Sequence, residues 1–199
     1  MNFSDKDVLI KHVRNFAKKH SLSDDIHGFE HVKRVYNLCI SIGKKCNANL
    51  FVLKTASLLH DIGRIKEQKQ QTNINHAELS AQKASKFLKE WGEELNQPTI
   101  KDIIHAIRAH SFSNNIKPDT LEAKILSDAD KLDALGAIGL YRTIGFTIKH
   151  KGNIRDVINH LEEKLLNLKN QMNLPITQQL AEERHQILAE FHQKIIKEL

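Results

Sequence analysis

The stretch SLLHDIGR, residues 57–64, sets a titratable pair at the inner end of an apolar segment: His60 and Asp61 follow directly on Leu58 and Leu59. Burying an uncompensated carboxylate is costly. Neighbouring residues on a helix diverge by about 100°, so the two side chains meet only near a helix end or around a shared ion. Neutral imidazole and carboxylate are both good ligands for a divalent cation, which would supply the missing compensation. In isolation a His-Asp step is more often a helix cap or a surface pair, so the reading depends on other ligands converging there.

Further out, DDIHGFEHVKRV (24–35) offers His27 and His31, four residues apart. They share a face if the helix already includes position 27; otherwise His27 lies in the loop beside it. On the C-terminal side, ILSDADKLDAL (125–135) supplies Asp128, Asp130 and Asp133. With Ile125, Leu132 and Leu135 as the buried face, helical phase turns Asp128 inward and Asp130 outward with Asp133. An inward carboxylate requires a metal or an arginine to meet it.

The rest of the chain reads as helix, without convincing alternating strands. The periodicity predicts helices over about 4–20 (Ser4 as cap; Val8, Leu9, Val13, Phe16 and Ala17 buried), 28–46, 49–61 and 76–91, the last stopping near Gly92. DIGRIKEQKQQTNIN (61–75) reads as a polar loop. Thr99 is expected to cap a helix over about 100–110, and Thr120 to start one over TLEAKILSDADKLDALGAIGLYR. Two long closing helices divide at Pro175. The expectation is one all-α domain over 1–199, an irregular helical bundle rather than a coiled coil, because no heptad is sustained. Its metal-site core would span about 20–145 and its closing helices about 153–199.

Composition narrows the function. The net charge of +6 comes from 30 basic and 24 acidic residues scattered without a block of one sign. With 6% aromatic residues and no basic stripe, a nucleic-acid binder is disfavoured. No apolar run approaches the roughly 18–20 residues of a membrane span. Cys39 and Cys46 form no disulfide framework, so a cytoplasmic protein with reduced thiols is expected.

Taken in order, HGFEHVKRVYNL, ASLLHDIG, NHAELSAQKA, IIHAIRAHSFS, LEAKILSDADKLDALGAIGLYR and HLEEKLLNLKNQM with LAEERHQILAEF resemble the HD-domain metal-dependent phosphohydrolase superfamily, in its small stand-alone bacterial members. Its signature is H…HD…D, and the likeness spans nearly the whole chain. The resemblance implies an HD-domain-like helical bundle that hydrolyses a phosphoester or phosphoanhydride with water activated on a divalent cation (Mn, Mg, Fe, Co or Ni). The substrate it suggests is a nucleotide. His31, His60 and Asp61 match the first three ligands. For the fourth, helical phase favours Asp128 and the family's ADxL aspartate favours Asp130; Asp130 is preferred, with Asp128 then bonding a ligand histidine. His76 in NHAELS and His110 in RAHSFS can orient a phosphate, donate a proton or ligate a second metal.

Arg64, Lys66 and Arg142 are candidates for gripping phosphate. In some HD hydrolases an acid follows the doublet closely; here Arg64 stands in that stretch and Glu67 comes late, which favours metal-bound hydroxide, or Asp133 or His27 as proton acceptor. Two rival readings are a regulatory HD module that binds metal or nucleotide without turnover, and an HD-type diiron oxygenase. The closing helices offer a face for a homodimer.

Overall fold

The computed structural model describes residues 3–68, 74–91 and 95–199. They fold into helices, and among the described residues the one β-type pairing is an isolated bridge between Leu22 and Gly28. The predicted all-α class holds. The chain divides into two compact units, 1–127 and 128–199.

The first unit holds α1 (Phe3–Lys19), α2 (Phe29–Lys45), α3 (Leu50–Leu59), α4 (Arg64–Gln68), α5 (His76–Lys89) and α6 (Gln97–Ala109). It also contains the start of α7 (Leu121–Asp133), within which the division falls. α3 is the axle, packing against α1, α2, α5 and α6, while α5 lies along α6. Val52, Leu53 and the whole run Thr55–Leu59 are buried. A helix apolar on nearly every face belongs inside a core. Its two hydroxyls tolerate this by bonding back along the helix, Thr55 to the Phe51 carbonyl at 2.9 Å and Ser57 to that of Leu53 at 2.6 Å. Asn49 caps its start by accepting from the amides of Phe51 and Val52.

The second unit contains α8 (Gly136–Lys149), α9 (Ile154–Glu163), a 3₁₀ segment at Leu165–Gln171 and α10 (Pro175–Glu198). α10 packs on α8 and on the 3₁₀ segment. Pro175 sits in the first turn of α10, where its missing N–H costs nothing.

Several local expectations change. Residues 64–68 form α4 instead of loop and Ile62 is buried; residues 69–73 and the stop at Gly92 lie outside the described residues. Asn96, not Thr99, caps α6, its side chain accepting from the Thr99 amide. Thr120 does cap α7, its hydroxyl accepting from Ala123. Helix α1 begins at Phe3, the side chain of Ser4 lies outside the described residues, and Val8 is exposed on the outer face. The helix predicted through residue 142 breaks at Gly136, whose φ of +71° an L side chain rarely adopts. The first closing helix stops at Glu163 and tightens into the 3₁₀ segment.

Candidate metal centre

Four helix ends of the first unit meet around Asp61. His31 is the third residue of α2, His60 follows the last residue of α3, His76 opens α5 and His110 follows the last residue of α6. All five side chains are buried. His31, His60 and Asp61 bring one ligand atom each to within 4.8 Å of one another, and so do Asp61, His76 and His110. Asp61 belongs to both groups. Two of the four ends are helix C-termini, whose carbonyls favour a positive charge.

The distances are close and leave polar atoms facing each other. His31 Nε2 stands 3.3 Å from His60 Nε2 and 3.5 Å from Asp61 Oδ2. On the other side, Asp61 Oδ1 lies 3.6 Å from His76 Nε2 and 3.7 Å from His110 Nε2. Asp61 Oδ1 and His110 Nε2 have no hydrogen-bond partner. An orphaned acceptor in a buried site is expensive, so each such atom calls for an explanation.

The imidazole orientations sharpen this. His60 Nδ1 is 2.7 Å from the Ser57 carbonyl and His110 Nδ1 is 2.6 Å from that of Ile107. A carbonyl only accepts, so both rings carry their proton on Nδ1 and turn an Nε2 lone pair inward. The same local device serves both: a histidine just past a helix end satisfies a carbonyl of its last turn. Inward lone pairs beside a carboxylate are a donor set suited to a divalent cation of mixed N/O preference. The residues present therefore fit such an ion.

Arg64 completes the first unit's site. Its Nε donates to Asp61 Oδ2 at 2.6 Å and its Nη2 lies 3.3 Å from His76 Nε2. Burial alone would raise the Asp61 pKa. The Arg64 guanidinium is the largest opposing influence, and the carboxyl is held well below its ordinary range. Lys66 is exposed on α4, and His27 lies half-buried in the turn before α2, outside that helix.

Sequence reasoning set Glu67 aside as late after the doublet and did not anticipate its contact with His76. Its Oε1 accepts from the His76 amide at 2.9 Å and lies 3.2 Å from His76 Nδ1. The two residues are nine apart in sequence, on different helices, which no helical spacing rule reaches.

In the second unit, Asp128 is fully buried, as its phase implied, but its partners are not histidines. It accepts from the amides of Asn173 (2.9 Å) and Leu174 (3.1 Å), from Asn173 Nδ2 (2.6 Å) and from the Thr177 hydroxyl (2.5 Å). Both oxygens are thus committed to the start of α10. Asp133 and Arg142, expected as proton acceptor and phosphate grip, pair with each other at 2.7 Å. Arg142 also donates to the Asp133 carbonyl at 3.1 Å. Asp130 is half-buried on α7.

An all-helical chain gathering histidines around a His-Asp doublet defines a metal-binding helical protein of the HD type. The chain belongs to the HD-domain family, whose model matches residues 28–135. It is 33% identical over 181 residues to the Bacillus subtilis protein YpgQ, covering 87% of this chain and 84% of that one. The crystal structure of B. subtilis YpgQ in complex with ADP superimposes with a TM-score of 0.78 at 27% identity, over 98% of this chain and 96% of that one. An HD-superfamily hydrolase from Bacillus thuringiensis gives 0.73 at 30% identity, over 97% of each chain.

Proposed function

We propose that this chain is a metal-dependent phosphohydrolase acting on a nucleotide, built as one HD-type domain over 1–199. The observation that carries the proposal is the inward-turned Nε2 of His60 beside His31 Nε2 and Asp61 Oδ2, with Asp61 Oδ1 left unpartnered on the carboxylate's other side. A divalent cation bound there would supply a Lewis acid for the phosphoryl oxygens and lower the pKa of a coordinated water. His31, His60 and Asp61 would hold it. Asp130 is proposed as the fourth ligand on the order of the H…HD…D signature. Asp128 is the poorer candidate, because two amides, a carboxamide and a hydroxyl already use its oxygens.

With its Nδ1–H given to a carbonyl, His110 presents an acceptor nitrogen; with His76 it suits a second cation better than proton donation. Arg64, at the edge of the cluster, is the proposed phosphate grip, with Lys66 exposed two residues along. The hydrolase reading is supported by family membership and by the B. thuringiensis relative. The nucleotide is supported by YpgQ, which has been crystallised with ADP.

The test is a screen of metal-stripped protein against nucleoside mono-, di- and triphosphates with Mn²⁺, Mg²⁺, Fe²⁺, Co²⁺ and Ni²⁺, run beside His60→Ala. Metal-dependent turnover in the wild type and none in the variant is expected. Equal turnover in both proteins would sink the assignment.

A further inference from the structure

Three histidines of the centre are oriented through Nδ1, but by different means. His60 and His110 are held by main-chain carbonyls within their own last helical turn, which no substitution removes. His76 opens α5, so it has no preceding turn of its own helix to hold it. Its Nδ1 instead meets Glu67 Oε1, carried on α4. We propose that Glu67 is the positioning residue that fixes the His76 tautomer, keeping the proton on Nδ1 and the Nε2 lone pair turned toward Asp61. The proposal rests on the reading of this cluster as a metal centre, but its first measurement does not.

The geometry supports it at two points. The same oxygen takes both the His76 amide and the ring nitrogen, so backbone and ring are registered against one atom. On the opposite edge of the ring, Arg64 Nη2 stands 3.3 Å from Nε2; a guanidinium only donates, so that nitrogen must accept. A carboxylate only accepts, so Nδ1 must donate. Donor above and acceptor below permit one tautomer. A carboxylate behind a ligand histidine both orients it and raises its basicity.

A purely structural role for Glu67 is separable, because the start of α5 has a cap of its own: Asn75 accepts from the Ala77 amide at 2.8 Å. The experiment is long-range ¹H–¹⁵N correlation on metal-stripped, ¹⁵N-labelled protein, with the His76 signals assigned by difference from His76→Gln. The wild type is expected to show His76 protonated on Nδ1. Glu67→Ala should shift it toward the Nε2-protonated form, and Glu67→Gln, which keeps an acceptor oxygen, should restore it. Asn75→Ala should lower stability and leave the tautomer unchanged.

Calorimetric titration with Mn²⁺ should then show affinity weaker by about 10–100-fold in Glu67→Ala and close to wild type in Glu67→Gln. A wild-type His76 protonated on Nε2 overturns the proposal even if Glu67→Ala does not fold. An unchanged tautomer in folded Glu67→Ala does the same. The expected tautomers with no Mn²⁺ binding in the wild type would instead overturn the metal-centre reading and leave the positioning role standing.

Discussion

Asp61 and Asp128 are the same residue type, both buried, one in each compact unit, and they differ in what satisfies them. Asp128 is surrounded by donors that belong to the fold: two amides, a carboxamide and a hydroxyl at the start of α10. Its negative charge sits at a helix N-terminus, where it stabilises the structure. Asp61 has one oxygen on Arg64 and the other facing imidazole nitrogens with no hydrogen at hand. One carboxylate completes a protein structure; the other keeps an oxygen that no protein donor satisfies. Burial alone does not distinguish them. The inventory of donors does.

The largest effects should come from neutralising each in turn. Asp61→Asn should abolish divalent-cation binding and with it activity. Outer-shell partners already cost about 10–100-fold when removed, so a bridging ligand should cost more. Asp128→Asn should do the reverse, losing on the order of 3 kcal/mol of stability while retaining the metal, because a charged acceptor shared by several buried donors is replaced by a neutral amide. Metal content by mass spectrometry and urea denaturation read the two properties separately. Loss of metal in Asp128→Asn with full retention in Asp130→Asn would reverse the ligand assignment.

How much of this was visible in the sequence follows the range of the interactions. His60 and Asp61 were legible because they end an apolar run, and His31 because it matches the first histidine of the H…HD…D signature. The inward phase of Asp128 was legible from helical period, but its partners are 45–49 residues away and no local rule points to them. Asp133 and Arg142 illustrate a different failure. Nine residues along a continuous helix is about two and a half turns, which sets two side chains on opposite faces. The break at Gly136 redirects the chain, and the two meet at 2.7 Å. The role of Glu67 was missed because it acts on a helix it does not belong to.

The same two regions can be compared through their glycines. Gly63 follows the doublet and donates its amide to the Ser80 hydroxyl at 2.9 Å. A Cβ there would stand 2.5 Å from the His76 carbonyl oxygen and 2.6 Å from the Ser80 nitrogen. Backbone atoms cannot give way cheaply, so Gly63→Ala should cost about 1–3 kcal/mol. By pushing the Asp61 turn away from α5 it should also weaken Mn²⁺ binding. Gly136→Ala is strained by its positive φ and should cost about 1–2 kcal/mol, with Mn²⁺ affinity unchanged. Equal losses of affinity in both variants would show that the centre reports global stability rather than local register.

The smallest effect concerns Glu78 and Arg108, a bidentate pair joining α5 to α6 at 2.7 and 2.9 Å. The hydrogen bond from Arg108 outweighs burial and lowers the Glu78 pKa below its ordinary value. A carboxyl whose folded pKa is depressed contributes stability that is present above its unfolded pKa, about 4.3, and is lost as pH falls through the lower folded value. The Arg108 side chain is 42% exposed, so solvent screens the pair and it should be worth at most about 1 kcal/mol. The stability difference between wild type and Glu78→Gln should therefore be full at pH 7 and shrink as the pH falls below about 4.3. A difference that stays constant across that range would mean the pair acts by packing α5 on α6 rather than by charge. Glu78 has both oxygens on Arg108, whereas Asp61 has one on Arg64 and the other unpartnered, so replacing Glu78 should leave Mn²⁺ binding intact.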